Sequence, residues 1–148
     1  MRRWPGRLAR QRGFTLVELV IVMTIIGILA GALTLHITHR VENARRARAV
    51  ADIATLETAL SLYEADNGGP PTTQQGLAAL RQKPSSPPLP RNWDGPYLRK
   101  AVSQDPWGHE YVYRYPGQYN PESYDIMSYG DDGQPGGSGK DEDVTNWE

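Results

Sequence analysis

The chain is 148 residues long and carries 16 Lys and Arg, 17 Asp and Glu, and no cysteine. That length holds one domain plus an anchor or tail, and nothing in it can be stapled by disulfides. Five of the basic residues, Arg2, Arg3, Arg7, Arg10 and Arg12, lie at the N-terminus; without them eleven basic residues face seventeen acidic ones, a balance of −6 that disfavours nucleic acid as a partner.

Residues 1–13 read as a basic leader. From Phe14 to Leu35 the chain is apolar for 22 residues, broken only by Thr15, Glu18, Thr24 and Thr34 and by small residues. About 20 helical residues cross a bilayer core, so 14–35 is predicted to be a membrane helix with its basic leader in the cytoplasm. A cleaved secretory signal would show a shorter apolar core and a small-residue cleavage site. Glu18 is costly in this setting, since an acidic residue at mid-helix opposes insertion by about 2.5–3.5 kcal/mol. A neutralising partner is therefore expected. A cut between Gly13 and Phe14 would supply one, because the new Phe14 amine would lie four residues from Glu18 and attract it strongly in a low-dielectric layer. Pairing within a chain or between neighbouring chains are both open; the second would fix the stagger of subunits.

The helical pattern continues past Leu35. Val41, Ala44, Ala47, Val50, Ile53, Leu56, Leu60 and Tyr63 follow spacings of three and four, one face of a helix. Asp66-Asn67-Gly68-Gly69-Pro70-Pro71 should end it, so the predicted helix from Phe14 to Asp66 is about 80 Å long at 1.5 Å per residue. Gly27 and Gly31 give a small-residue face suited to close helix contact. His36 and His39 have metal-compatible spacing but no third ligand nearby.

The head, residues 36–148, should be α+β: one long helix packed on a small antiparallel sheet. Thr72-Thr73-Gln74-Gln75 is predicted to form a capping box before a short helix carrying Leu77 and Leu80. Pro84 to Pro90 is a loop. Trp93, Tyr97 and Leu98 should reach the core, and Asp105-Pro106-Trp107-Gly108 should turn a buried aromatic inward. Glu110 to Tyr115 and Tyr124 to Tyr129 read as strands, joined by Pro116 to Pro121. Their aromatics are expected in the core rather than on a carbohydrate platform.

Residues 130–143 hold five carboxylates and five glycines in fourteen positions. Charge repulsion and backbone entropy should leave them disordered unless something binds. Calcium suits such a loop, since it takes six to eight carboxylate and carbonyl oxygens. From composition alone a solvated loop and an ion site fit equally, and the EF-hand spacing is absent.

Gly13-Phe14-Thr15-Leu16-Val17-Glu18 resembles the processing site of type IV pilin-like proteins. Asp66-Asn67-Gly68, Pro71 to Leu77, Asp105-Pro106-Trp107-Gly108, Ser128 to Gly133 and Asn146-Trp147 extend the likeness to the major pseudopilins of type II secretion, the general secretion pathway protein G family. The resemblance implies a type IV pilin-like fold and cleavage between Gly13 and Phe14 by a prepilin peptidase, with N-methylation of Phe14. It also implies assembly steered by Glu18. Calcium would be held by side chains of Asp132, Asp141 and Asp143 and carbonyls of Tyr129 and Gln134, with Trp147 packing on the head to close the loop; Glu142 could replace either of the later aspartates. Family helices often carry a proline where Leu35 stands, so a kink there is not implied. The implied role is structural: a Gram-negative inner-membrane protein with a periplasmic head. It would polymerise with copies of itself and with minor pseudopilins on an assembly platform driven by an ATPase. A type IV pilin or competence pilin is the alternative, although such pilins often carry a C-terminal disulfide loop. No Ser/His/Asp or Cys/His constellation points to an enzyme.

Overall fold

The computed structural model describes residues 13–101 and 104–147, with the side chains of 32–39 left out. The leader arginines, the His36 and His39 pair and the Leu35 side chain lie outside the described residues. The chain divides between Arg40 and Val41 into two compact units.

Helix α1 runs Leu16–Asn67 without interruption, two residues short of the predicted start. Its N-terminus is capped by Thr15: the Glu18 amide donates to Thr15 Oγ1 at 3.2 Å, and Leu19 N–H donates to the Thr15 carbonyl. Thr15-Leu16-Val17-Glu18 thus places a carboxylate in the first turn, where it complements the helix dipole. Thr24 donates its hydroxyl to the Val20 carbonyl at 2.8 Å, which satisfies a polar group inside the apolar stretch. Among the described residues no helix is long and apolar enough to cross a membrane; the described side chains of this stretch end at Gly31, and the sequence stays apolar to Leu35. The far end of α1 closes at Gly68, φ +81°, whose N–H donates to the Glu64 carbonyl, while Asn67 Nδ2 donates to the Tyr63 carbonyl.

In the second unit α1 buries Ala49, Ile53, Leu56, Ala59, Leu60 and Tyr63. This corrects the expected face in its first half. Val41 and Val50 are exposed, as are Ala44 and Ala47. The buried spacing, traced back from Ala49, arrives at Arg46, Arg45 and Glu42, which meet the C-terminal loop and Trp107 through polar contacts instead. Leu56 and Leu60 are fully buried, and each contributes about 1.5–3 kcal/mol of apolar transfer.

Against this face lies a three-stranded antiparallel sheet, order β1-β2-β3: β1 Val112–Arg114, β2 Asp125–Ser128 and β3 Val144–Thr145. The two expected strands are present and shorter than predicted; β3 was not expected. Tyr113 pairs with Ile126, and Ser128 with Val144. Every residue of the central strand is buried. Tyr111, Tyr113, Tyr124, Ile126 and Val144 join Leu80 and Leu98 in one cluster, with Trp93, Tyr97, Trp107 and Tyr115 packed on it. The strand aromatics are core, as expected.

The predicted capping box closes in both directions. Gln75 N–H donates to Thr72 Oγ1 at 3.2 Å, and Thr72 N–H donates to Gln75 Oε1 at 3.1 Å. The element that follows is a single 3-10 turn, Leu77–Leu80, that buries Leu80. Gln75 Nε2 is also drawn to the Ser86 and Pro88 carbonyls, so the box anchors the proline-rich loop as well.

Candidate functional site

Two stretches carry the chemistry. The first is the motif at the head of α1. Phe14 is 82% exposed, and Glu18 is exposed with its own amide tied to Thr15. Apolar side chains from Leu16 through Leu29 are exposed in turn, and a Cβ on Gly27 or Gly31 would meet nothing within 4 Å. An isolated chain therefore leaves this whole surface without cover, far beyond what a lone soluble protein presents.

The second is the loop between β2 and β3. It is ordered by turns rather than by regular structure. Asp131 N–H donates to the Lys140 carbonyl at 3.1 Å and folds the loop back on itself. The left-handed backbone at Gly130 and Gly137 permits that approach: a Cβ on Gly130 would meet the Lys140 carbonyl at 2.9 Å, and one on Gly137 would collide with the Asp141 carbonyl. Asp132 Oδ1 accepts from Gln134 N–H at 3.0 Å, and Asp143 Oδ2 accepts from Gly136 N–H at 2.9 Å. The underside rests on His109, whose Nδ1 lies 2.9 Å from the Gly130 carbonyl. A 3-10 turn at Gly139–Asp141 leads into β3.

Cations surround the carboxylates. Arg46 lies 3.0 Å from Glu142 Oε2, and Arg45 lies 3.8 Å from Asp131 Oδ1. Lys140 Nζ sits 2.5 Å from Asp131 Oδ2 and 3.2 Å from Asp141 Oδ1. Lys140 holds the Asp131 carboxyl below its ordinary range, chiefly by hydrogen bonding, and Asp131 in turn raises the Lys140 ammonium. Composition alone predicted repulsion here; three neighbouring cations offset it.

Of the five sequence-predicted metal ligands, Asp141 and Asp143 both lie against the Gly136–Gly137 turn, while Asp132 is engaged in a turn of its own with Gln134. Among the described residues no group of three or more His, Asp or Glu side chains converges closely enough to hold a metal by side chains alone. Two atoms stand out even so. Asp141 Oδ1 and Asp143 Oδ1 are buried and have no hydrogen-bond partner; the Lys140 contact to the first is an ion pair without hydrogen-bond geometry. Carboxylate oxygens withdrawn from water without a hydrogen bond are costly. They are the donor type that a hard cation takes, alongside backbone carbonyls.

Asp105, Asn146 and Trp147 stand in motifs that the sequence offered, and Trp147 was expected against the head; the hydrogen-bond partners of Asp105 and Asn146, and Asp125 altogether, were not foreseen. Asp105, almost fully buried, accepts the Trp107 and His109 amides on Oδ1 and the Ser128 hydroxyl on Oδ2. Asp125, fully buried, accepts three backbone N–H groups, from Gln118, Tyr119 and Asn120. Asn146 accepts the Ile126 amide and donates to Glu57 and to the Tyr124 carbonyl. Trp147 stacks on Tyr119, with ring centroids 4.3 Å apart. Each is a short polar or aromatic residue next to a turn, a weak signal in sequence until the fold supplies its partners.

Residues 36–147 match the family model described as type II secretion system (T2SS), protein G, and residues 8–34 match the prokaryotic N-terminal methylation motif. Type II secretion system core protein G of Dickeya chrysanthemi is 46% identical over 140 residues, covering 93% of this chain and 87% of that one. The Pseudomonas aeruginosa core protein G is 42% identical over 94% of this chain and 96% of its own. A crystal structure of the major pseudopilin from the type 2 secretion system of enterohaemorrhagic Escherichia coli superposes with a TM-score of 0.60 at 45% identity, covering 71% of this chain and 88% of that one.

Proposed function

This chain belongs to the type II secretion system protein G family, and from that premise we propose that it is the major structural subunit of a type II secretion pseudopilus. Its work is assembly, not catalysis. Copies polymerise into a periplasmic filament whose growth drives folded proteins toward the outer membrane. The observation that carries this reading is the joint match: a methylation motif on the apolar helix and a protein G head behind it.

The finer steps are part of the same proposal. Residues 1–13 are removed by a prepilin peptidase between Gly13 and Phe14, and Phe14 is N-methylated. Residues 14–35 anchor the subunit in the inner membrane with the head in the periplasm. Minor pseudopilins, an assembly platform and its ATPase act on this pool. On polymerisation the apolar side chains of Leu16 through Leu29, all exposed in the single chain, are buried against neighbouring helices. Glu18 pairs with the freed Phe14 amine and selects the stagger.

Calcium belongs to this reading too. The two buried carboxylate oxygens of Asp141 and Asp143 that lack a hydrogen bond support it. With Asp132 and the carbonyls of Tyr129 and Gln134, they would hold the ion, which when bound neutralises the loop's charge and stabilises the fold only while it stays on the native state. Supporting features of the chain are the Gly136–Gly137 turn, which lies against Asp141 and Asp143, and Trp147 stacked on Tyr119.

The experiment is Glu18→Ala in a secreting cell. The variant should be processed to a mature chain beginning at Phe14, remain in the membrane, and fail to form filaments or to support secretion. Normal filaments from Glu18→Ala, or a mature N-terminus other than Phe14, overturns the reading.

A further inference from the structure

We propose that Lys140 is a built-in counter-cation of the C-terminal loop, holding it closed in the metal-free chain and setting calcium affinity by having to leave when the ion enters. This rests on the calcium reading above. The Lys140 ammonium bridges Asp131 and Asp141, 2.5 Å and 3.2 Å away, from opposite ends of the loop. Its backbone carbonyl accepts the Asp131 amide, so side chain and main chain close the same ring. Asp141 Oδ1 has no hydrogen bond, and Lys140 is its sole ion-pair partner among the described residues. A cation already stands against one of the oxygens that calcium would take.

Two consequences have opposite signs. In the metal-free loop the ammonium offsets repulsion between Asp131 and Asp141, with Arg45, 3.8 Å from Asp131, as the remaining help. In the calcium-bound loop the same ammonium is a like charge beside a divalent ion. Lys140 is 58% exposed, so its side chain can swing into solvent.

The test compares full-length wild type, Lys140→Met and Lys140→Arg in detergent. Calcium affinity is measured by titration calorimetry, and thermal midpoints are read in the presence of a chelator. Lys140→Met should bind calcium on the order of tenfold more tightly and melt about 2 °C lower without metal. Lys140→Arg, which keeps the charge, should stay near wild type in both. Added salt should narrow the gap in metal-free midpoint. Equal or weaker calcium binding by Lys140→Met, with wild type binding normally, overturns the counter-cation role and leaves the calcium site standing. No calcium uptake by wild type overturns the calcium reading and this one with it.

Discussion

Asp125 is the test of how the head is held together. The side chain is fully buried in the central strand. Oδ2 accepts Gln118 N–H at 2.6 Å and Tyr119 N–H at 3.0 Å, while Oδ1 accepts Asn120 N–H at 2.9 Å. Gly117 leaves the room, for a Cβ there would stand 2.5 Å from Asp125 Oδ1. Hydrogen bonds to a charged group are each worth about 1.5–3 kcal/mol. The loop amides can recover some of this from water, because Gln118 and Tyr119 are exposed residues. Asp125→Ala should therefore cost roughly 3–4 kcal/mol rather than the full sum. Asp125→Asn keeps the shape and one acceptor oxygen. Its best orientation serves Gln118 and Tyr119 and turns the NH₂ toward the Asn120 amide, for a cost of about 1.5–2.5 kcal/mol. Urea unfolding of the full chain in detergent, at constant slope, measures both. The near-ultraviolet signal of the Tyr119–Trp147 stack should weaken in step. A loss under about 1 kcal/mol for Asp125→Ala, or an Asn variant costlier than the Ala one, would refute the reasoning.

Other outcomes follow from the same geometry. Leu60→Ala, at a fully buried position facing the sheet, should cost about 2–5 kcal/mol by the same unfolding assay. Gly137→Ala combines φ +89° with a collision against the Asp141 carbonyl, so it should abolish calcium-dependent stabilisation while leaving the core cluster folded; calorimetry with and without calcium checks this. Burial raises the phenols of Tyr63, Tyr97, Tyr111, Tyr113 and Tyr124 above their ordinary value, Tyr111 and Tyr113 furthest. A raised folded pKa gives stability that is complete below the unfolded value, about 10, and lost as pH climbs through the folded ones. Thermal stability should thus be unaffected by these groups at neutral pH and fall steeply above about pH 10, together with phenolate absorbance; a midpoint unchanged well into alkali would contradict it.

What was legible in the sequence was whatever repeats or punctuates. The long helix, its end at Asn67-Gly68, the Thr72–Gln75 box and the two tyrosine strands all rest on local spacing or local chemistry. The helix face failed between Val41 and Val50 for a physical reason. A periodic pattern marks burial by apolarity, whereas the inward side there includes Glu42, Arg45 and Arg46, which meet Trp107 and the acidic loop. Strand β3 was missed because two residues carry no period; Val144–Thr145 becomes a strand only by pairing with Met127 and Ser128. The acidic loop was readable as chemistry and not as geometry. Asp141 and Asp143 meet Gly136 and Gly137 only after those glycines turn the chain back, and the place of Lys140 depends on Asp131, nine residues earlier.

A head without cysteine must still fasten its C-terminus, and the structure shows what replaces the covalent link. Asn146 donates its backbone N–H to the Ile126 carbonyl and accepts the Ile126 N–H on its side chain, extending the sheet by one residue beyond β3. Its Nδ2 then reaches Glu57 on α1, and Arg46 on the same helix holds Glu142. Trp147 stacks on Tyr119, which Asp125 keeps in place. A disulfide would work by limiting the unfolded chain; these contacts act only on the folded one, so they add nothing until the sheet exists. Folding of the C-terminal loop is therefore conditional on the core, and any ion bound there strengthens a closure the core has already positioned. Removing Asn146 should accordingly loosen the loop and β3 together, seen as faster amide exchange across residues 126–146, while α1 from Ala49 to Tyr63 keeps its protection. Uniform loss of protection through both regions would mean that the C-terminus is part of the core rather than fastened to it.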